Sequence, residues 1–276
     1  MWDKVKEASC KADLNQLQEG SLMTNPLVQK LGSFNVLDAK DRDALDGLCQ
    51  SSFSRAAGQH LIREGDRPDQ VFLLVQGWAY RYKLTHDGSR QIMAYLIPGD
   101  LCDPHVFVLE AMDHSIALLT DAEVIAIPKQ TIIDLTEQRP AIARAFWWSA
   151  LVDEAVLREW LVNMGSRDAY ERLAHLFCEL WQRMFQVGLT RGDTYSLPVT
   201  QEQLGDTVGL TAVHVNRTLQ QMRAAGLIST KSKQLTILEP ERMKRAAGFD
   251  PKYLHLTARS NLDRSAPAEQ QHSVRL

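Results

Sequence analysis

Between residues 55 and 130, apolar positions come in short bursts. The runs VFLLVQG, WAYRYKL, RQIMAYLIPG, HSIALLT and EVIAIP are rich in β-branched and aromatic residues, and this predicts strands. Turn residues separate them: Gly65-Asp66, Gly77, Asp87-Gly88 and Gly99-Asp100. The glycines Gly65, Gly77, Gly88 and Gly99 fall 12, 11 and 11 residues apart. Turns at that spacing predict an all-β barrel or sandwich, with about one strand per interval.

From Pro140 the period changes. Pro140 suits a first helical turn, and AIARAFWWSALVDEAVLREWLVNM runs to Met164 without Gly or Pro. On a helical wheel Arg144, Glu154, Arg158 and Glu159 share an arc of roughly 140°, and nearly everything else is apolar. A surface helix needs an apolar stripe of only about 100°. The surplus predicts a helix packed on its own β-domain and on a second copy of itself, with Phe146, Trp147, Leu151, Val156 and Trp160 at the interface. A central helix of a monomeric core is the alternative.

A further helix is expected over roughly 166–187, ending near Gly188. Thr200 followed by Gln203 is a capping-box start, and it predicts a short helix Gln201–Val208 with Leu204 and Val208 inward. Gly209-Leu210-Thr211 turns the chain. Thr211 then caps Ala212–Ala224, whose buried face is Val215, Leu219 and Met222, and Gly226 stops it. Two short helices about a glycine-containing turn predict a helix-turn-helix. The runs LIST and QLTIL flank Lys231-Ser232-Lys233, a hairpin with a basic tip suited to phosphates. A recognition helix meets base edges with the outward side chains of its first turns, here Ala212, Val213, Asn216 and Arg217. Arg217 can pair with guanine, Asn216 with adenine, and Val213 can pack on a thymine methyl. Thr200, Gln201, Thr211 and His214 lie at helix starts, where hydroxyls and free N–H groups grip phosphate.

Composition adds a compartment and an asymmetry. The 276 residues are 45% hydrophobic and 24% charged, as in a soluble globular protein. No apolar run has the length of a membrane span, and the N-terminus lacks the apolar core of a signal peptide. The four scattered cysteines (Cys10, Cys49, Cys102, Cys178) contain no C-x-x-C pair and fit free thiols in a reducing cytoplasm. Residues 1–165 hold 16 Lys/Arg against 23 Asp/Glu, and residues 166–276 hold 15 against 11. The basic second part agrees with a polyanionic partner.

The segment TQEQLGDTVGLTAVHVNRTLQQMRAAGLI resembles the winged helix of the Crp/Fnr family of bacterial transcription regulators. The glycine-punctuated strands look like that family's cyclic-nucleotide-binding β-roll, and the helix from Pro140 lies where the family has its dimerisation helix. The resemblance spans about 30–245. It implies an α+β chain: a double-stranded β-helix (jelly-roll-like) sensor over 23–139, a dimerisation helix over 140–165 and a winged helix-turn-helix over 166–245, while the polar, aperiodic ends read as an extension over 1–22 and a tail over 246–276. It further implies a homodimer on a pseudo-palindromic site in double-stranded DNA, and RNA polymerase as a partner if the regulator activates.

One cluster, LCDPHVFVLEAMDHSIALL (101–119), bears on the effector. Cyclic-nucleotide members of the family carry a Gly-Glu pair after the Gly-Asp turn and an Arg-Ser pair ten residues on. The arginine clamps phosphate and the glutamate accepts from ribose. Here Asp103-Pro104 and His114-Ser115 stand in those places. An unperturbed histidine is mostly neutral at pH 7 and Asp103 repels phosphate, which argues against cyclic AMP or GMP. Cys102-x-x-His105 offers two metal ligands but no four-ligand spacing, and haem through His105 or His114 has as little support. The family's iron–sulfur sensors use an N-terminal cysteine cluster, where this chain has only Cys10, so no such cluster is expected. Asp103, His105, His114 and Ser115 remain as a candidate pocket for another small effector, with purely structural histidines as the alternative. A competing class is a β-barrel metal-dependent enzyme fused to a helical domain. It requires two or three histidines and a carboxylate on one cavity, and His60, His86, His105 and His114 contain no His-x-His pair.

Overall fold

A computed structural model describes residues 25–32, 37–49, 51–104 and 108–256. The extension expected over 1–22 and candidate residue His105 lie outside the described residues. Two short helices, α1 (Pro26–Gly32) and α2 (Ala39–Gly47), precede the strands. Eight strands then follow: β1 (Phe53–Arg55), β2 (His60–Ile62), β3 (Gln70–Gln76), β4 (Ala79–Leu84), β5 (Arg90–Leu96), β6 (Leu101–Cys102), β7 (Ser115–Leu118) and β8 (Ala122–Pro128). They form two antiparallel four-stranded sheets, in the orders β1-β8-β3-β6 and β2-β7-β4-β5. This is the expected jelly-roll-like β-roll. Its interior is apolar, with Val71, Leu73, Leu74, Ile116 and Val124 out of contact with water.

Helix α3 (Lys129–Gln138) leads through Arg139 into α4 (Pro140–Ser166). Arg167 is extended, Asp168 forms a capping box with Glu171, and α5 (Ala169–Gln186) begins there. Strands β9 (Thr190–Arg191) and β10 (Thr194–Ser196) come next. Helices α6 (Gln201–Val208) and α7 (Ala212–Ala224) match the sequence expectation in both bounds and caps. The hairpin β11 (Ile228–Lys231) and β12 (Gln234–Ile237) joins β10 and β9 in a third sheet. Its tip is the two-residue turn Ser232-Lys233, both with positive φ (49° and 60°), the geometry that fits a tight hairpin.

The tail begins later than expected. Helix α8 (Pro240–Ala247) and a 3₁₀ turn (Pro251–Leu254) bury Met243, Ala247, Phe249 and Leu254, so residues 246–256 belong to the folded part. Those four side chains are spaced too irregularly for the sequence pattern to mark them.

Helix α4 divides its apolar surface. Phe146 packs into the β-roll core, and Val156 and Trp160 pack into a second core shared with α5 and the winged helix. These three were expected at a dimer interface and instead face the chain's own interior. A helical wheel measures the width of an apolar surface but not which part each neighbour takes. Trp147 (74% exposed), Leu151 (59%) and Leu161 (68%) remain outside, together with Leu157 and Val162.

Candidate DNA interface and sensor site

The helix-turn-helix is held by close backbone packing. Gly209 ends α6 in the left-handed region (φ 67°), and a Cβ on Gly205 would strike the carbonyl oxygen of Leu210. The buried faces are as expected: Leu204 and Val208 on α6, and Val215, Leu219 and Met222 on α7. Thr200 Oγ1 accepts from Gln203 N (3.2 Å) and Thr211 Oγ1 accepts from His214 N (3.2 Å), so both hydroxyls cap their helices. Val213 is 81% exposed, and Ala212 and Arg217 are exposed beside it. Lys231 and Lys233 are exposed at the hairpin tip. Asn216 differs from expectation: its Nδ2 donates to Gln201 Oε1 (3.0 Å), tying the two helices together. Gln220, one turn beyond Arg217, is exposed and shares its face, a position that counting only the first turns passed over.

In the sensor, the strand register sets the cluster. Strand β7 pairs with β4 so that Ser115 lies opposite Tyr82 and Ile116 opposite Arg81. His114 Nε2 is 2.9 Å from Asp103 Oδ2, and its Nδ1 is 2.7 Å from Asp113 Oδ1. Asp103 Oδ1 pairs with Arg81 Nη2 (3.0 Å), and Arg81 Nη1 reaches Asp153 Oδ2 on α4 (2.9 Å). Ser115 Oγ accepts from Glu64 N (3.0 Å). Three of the four candidate pocket residues are thus engaged with protein groups. Burial disfavours the His114 imidazolium, but bonds to Asp103 and then Asp113 outweigh it and raise its pKa above the ordinary value. Burial next to Asp103 pushes the Cys102 thiol far up, so it stays protonated and unreactive. Arg81 and Asp153 escaped the sequence reading because they lie far along the chain from the cluster. The one available signal was a charge between the aromatic residues Tyr80 and Tyr82 of β4.

Among the described residues of the β-roll, the other histidines do not gather. His60 Nε2 meets Tyr82 Oη at 2.8 Å, and His86 lies in the exposed β4–β5 turn. Among the described residues, no group of three or more His, Cys, Asp or Glu is arranged to hold a metal, and no helix is long and apolar enough to cross a membrane.

A β-roll, a long helix and a winged helix-turn-helix with an outward-facing second helix define the class of β-roll DNA-binding regulators. Residues 53–139 match the cyclic nucleotide-binding domain family and residues 171–246 the Crp-like helix-turn-helix domain. The chain belongs to the Crp/Fnr family of transcription regulators. It is 27% identical over 216 residues to the transcriptional activator protein FnrL of Cereibacter sphaeroides, covering 76% of this chain and 86% of the relative. It is 27% identical over 197 residues to the nitrogen fixation regulation protein FixK of Bradyrhizobium diazoefficiens, covering 70% and 80%. Among solved structures, FixK2 from Bradyrhizobium japonicum superposes with a TM-score of 0.64 at 23% identity, covering 72% of this chain and 98% of that one. The enzyme alternative finds no support in any of these. DNA binding and dimerisation are supported by the same relatives.

Proposed function

We propose that the chain is a cytoplasmic, homodimeric regulator that reads a pseudo-palindromic DNA site with α7 and does not respond to cyclic AMP or GMP. The observation that carries the reading is the outward face of α7, where Val213 and Arg217 stand clear of the core while both helix caps hold the motif rigid. Arg217 reads a guanine, and Val213 packs on a thymine methyl. Lys231, Lys233 and the α6 and α7 starts at Thr200, Gln201, Thr211 and His214 hold phosphates. Asn216 positions Gln201 rather than reading a base. Dimerisation uses Trp147, Leu151 and Leu161 on the open side of α4. The sensor replaces the phosphate clamp with the pair Asp103–His114, and the permanent cation beside it, Arg81, is already taken by Asp103 and Asp153. No iron–sulfur cluster is assigned, because the N-terminal region offers only Cys10. RNA polymerase is the partner if the regulator activates.

Selection of duplexes from a random pool by the purified protein tests this. The expected product is a two-fold consensus with half-sites about 34–36 Å apart. A pool that never converges refutes the reading. Enrichment that depends on added cyclic AMP refutes the sensor part alone.

A further inference from the structure

Five charged side chains from three parts of the fold form one row through the sensor: Asp113, His114, Asp103, Arg81 and Asp153. Successive contacts are 2.7, 2.9, 3.0 and 2.9 Å. The row starts at solvent, where Asp113 is 78% exposed, and ends on α4, the helix that carries the open apolar face. Its centre is buried. Asp103 has a left-handed backbone (φ 53°) that turns its carboxylate inward, a conformation a non-glycine residue adopts only where surroundings enforce it.

The geometry fixes the proton count. A neutral imidazole has one donor nitrogen and one acceptor, and an ionised carboxylate only accepts. Both ring nitrogens of His114 lie at hydrogen-bond distance from carboxylates, and when both carboxylates are ionised both nitrogens donate and the ring carries a positive charge. Signs then alternate along the row. Remove the proton, and one nitrogen turns a lone pair towards a carboxylate. Among the described contacts, Arg81 is then the cation held between Asp103 and Asp153.

We propose that His114 is the effector site of this regulator and that its ligand is the proton. Loss of the proton draws Arg81 towards Asp103, weakens its hold on Asp153, and releases α4 from β4. The charged groups that face His114 come from each element packed against it. Asp113 lies on its own loop, Asp103 follows β6, and Arg81 and Lys83 come from β4. Lys83 is itself bridged to Glu64 after β2 (3.3 Å), and Asp153 of α4 acts through Arg81. Burial opposes the imidazolium while the two carboxylates favour it and prevail, which moves its pKa above the ordinary value.

The inference rests on the reading of the chain as a DNA-binding dimer, and the test separates the two. Full-length protein and a duplex obtained by selection are titrated between about pH 6 and pH 8.5, in a background carrying His214→Gln because His214 lies at the DNA. Affinity is expected to fall about five- to tenfold across the range, a usual size for coupling between sites. His114→Lys, a permanent cation, should keep the low-pH affinity throughout. His114→Gln should show the high-pH affinity throughout, and Asp153→Asn should flatten the profile while His114 still titrates. An unchanged pH profile in His114→Gln overturns the proposal, whereas failure to select any duplex overturns the DNA-binding reading instead. If the variants do not fold, ¹⁵N resonances of the His114 ring in unmodified protein decide. Two protonated nitrogens at about pH 6 with one lost by about pH 8.5 support the proposal, and a neutral ring at about pH 6 overturns it.

Discussion

Arg217 and Lys231 are both exposed cations in the DNA-binding part, yet their substitution should fail in different ways. Arg217→Ala is expected to cost about 1–3 kcal/mol at a single base-pair position, read by comparing the selected site with its single-base variants. Lys231→Ala should weaken all sequences alike and reduce the slope of log affinity against log salt by about 1. The difference follows from placement, since one side chain lies on the recognition face and the other at a hairpin tip. Gly205 makes a third residue-scale case. Because a Cβ there meets a backbone carbonyl, Gly205→Ala should destabilise the fold by about 1–3 kcal/mol in thermal or urea unfolding. The helix-turn-helix was readable residue by residue because each device in it is local: two caps, one glycine turn and one buried periodicity. The Asn216–Gln201 bond was not legible because Gln201 lies across the turn on the neighbouring helix.

At the scale of elements, α4 is the instructive case. The apolar excess of its sequence announced more surface than one neighbour covers, and Phe146, Val156 and Trp160 turned out to belong to the chain's own interior. Sorting the sides requires knowing where the β-roll ends and α5 begins, information carried by long-range contacts. The open side leads to a prediction: Leu151→Asp should convert the dimer to monomer in sedimentation and reduce affinity for a two-fold DNA site, while Val156→Asp should unfold the chain. Strands β3, β4, β5, β7 and β8 were visible as apolar runs. The two- and three-residue strands β1, β2, β6, β9 and β10 were not, because so short a strand has no period to detect.

Across the whole molecule, the sensor and the winged helix are not separate bodies. Trp78, Tyr80, Ile92 and Tyr95 of the β-roll share one apolar core with Trp160 of α4, Phe177 of α5 and Leu204 and Val208 of α6. Tyr95 Oη meets Thr207 Oγ1 at 2.6 Å, and Arg90 Nη2 meets Asp206 Oδ2 at 2.7 Å. A double-mutant cycle on Arg90 and Asp206 should therefore give a coupling of about 0.5–1 kcal/mol in unfolding, since both side chains are only partly shielded from water. This contact joins residues more than a hundred positions apart, and no pattern along the chain announces it.

The open face of α4 carries one further detail, the exposed ion pair Glu154–Arg158 (2.5 Å) set between Leu151 and Leu161. In the proposed dimer a second copy of the helix brings one charge of each sign to this face, so each charge has an opposite available to meet. A related helix with two like charges there would leave one of them unmatched among apolar side chains, at a cost that self-pairing avoids. Where several regulators of one family are made in the same cell, these two residues favour like chains assembling with like.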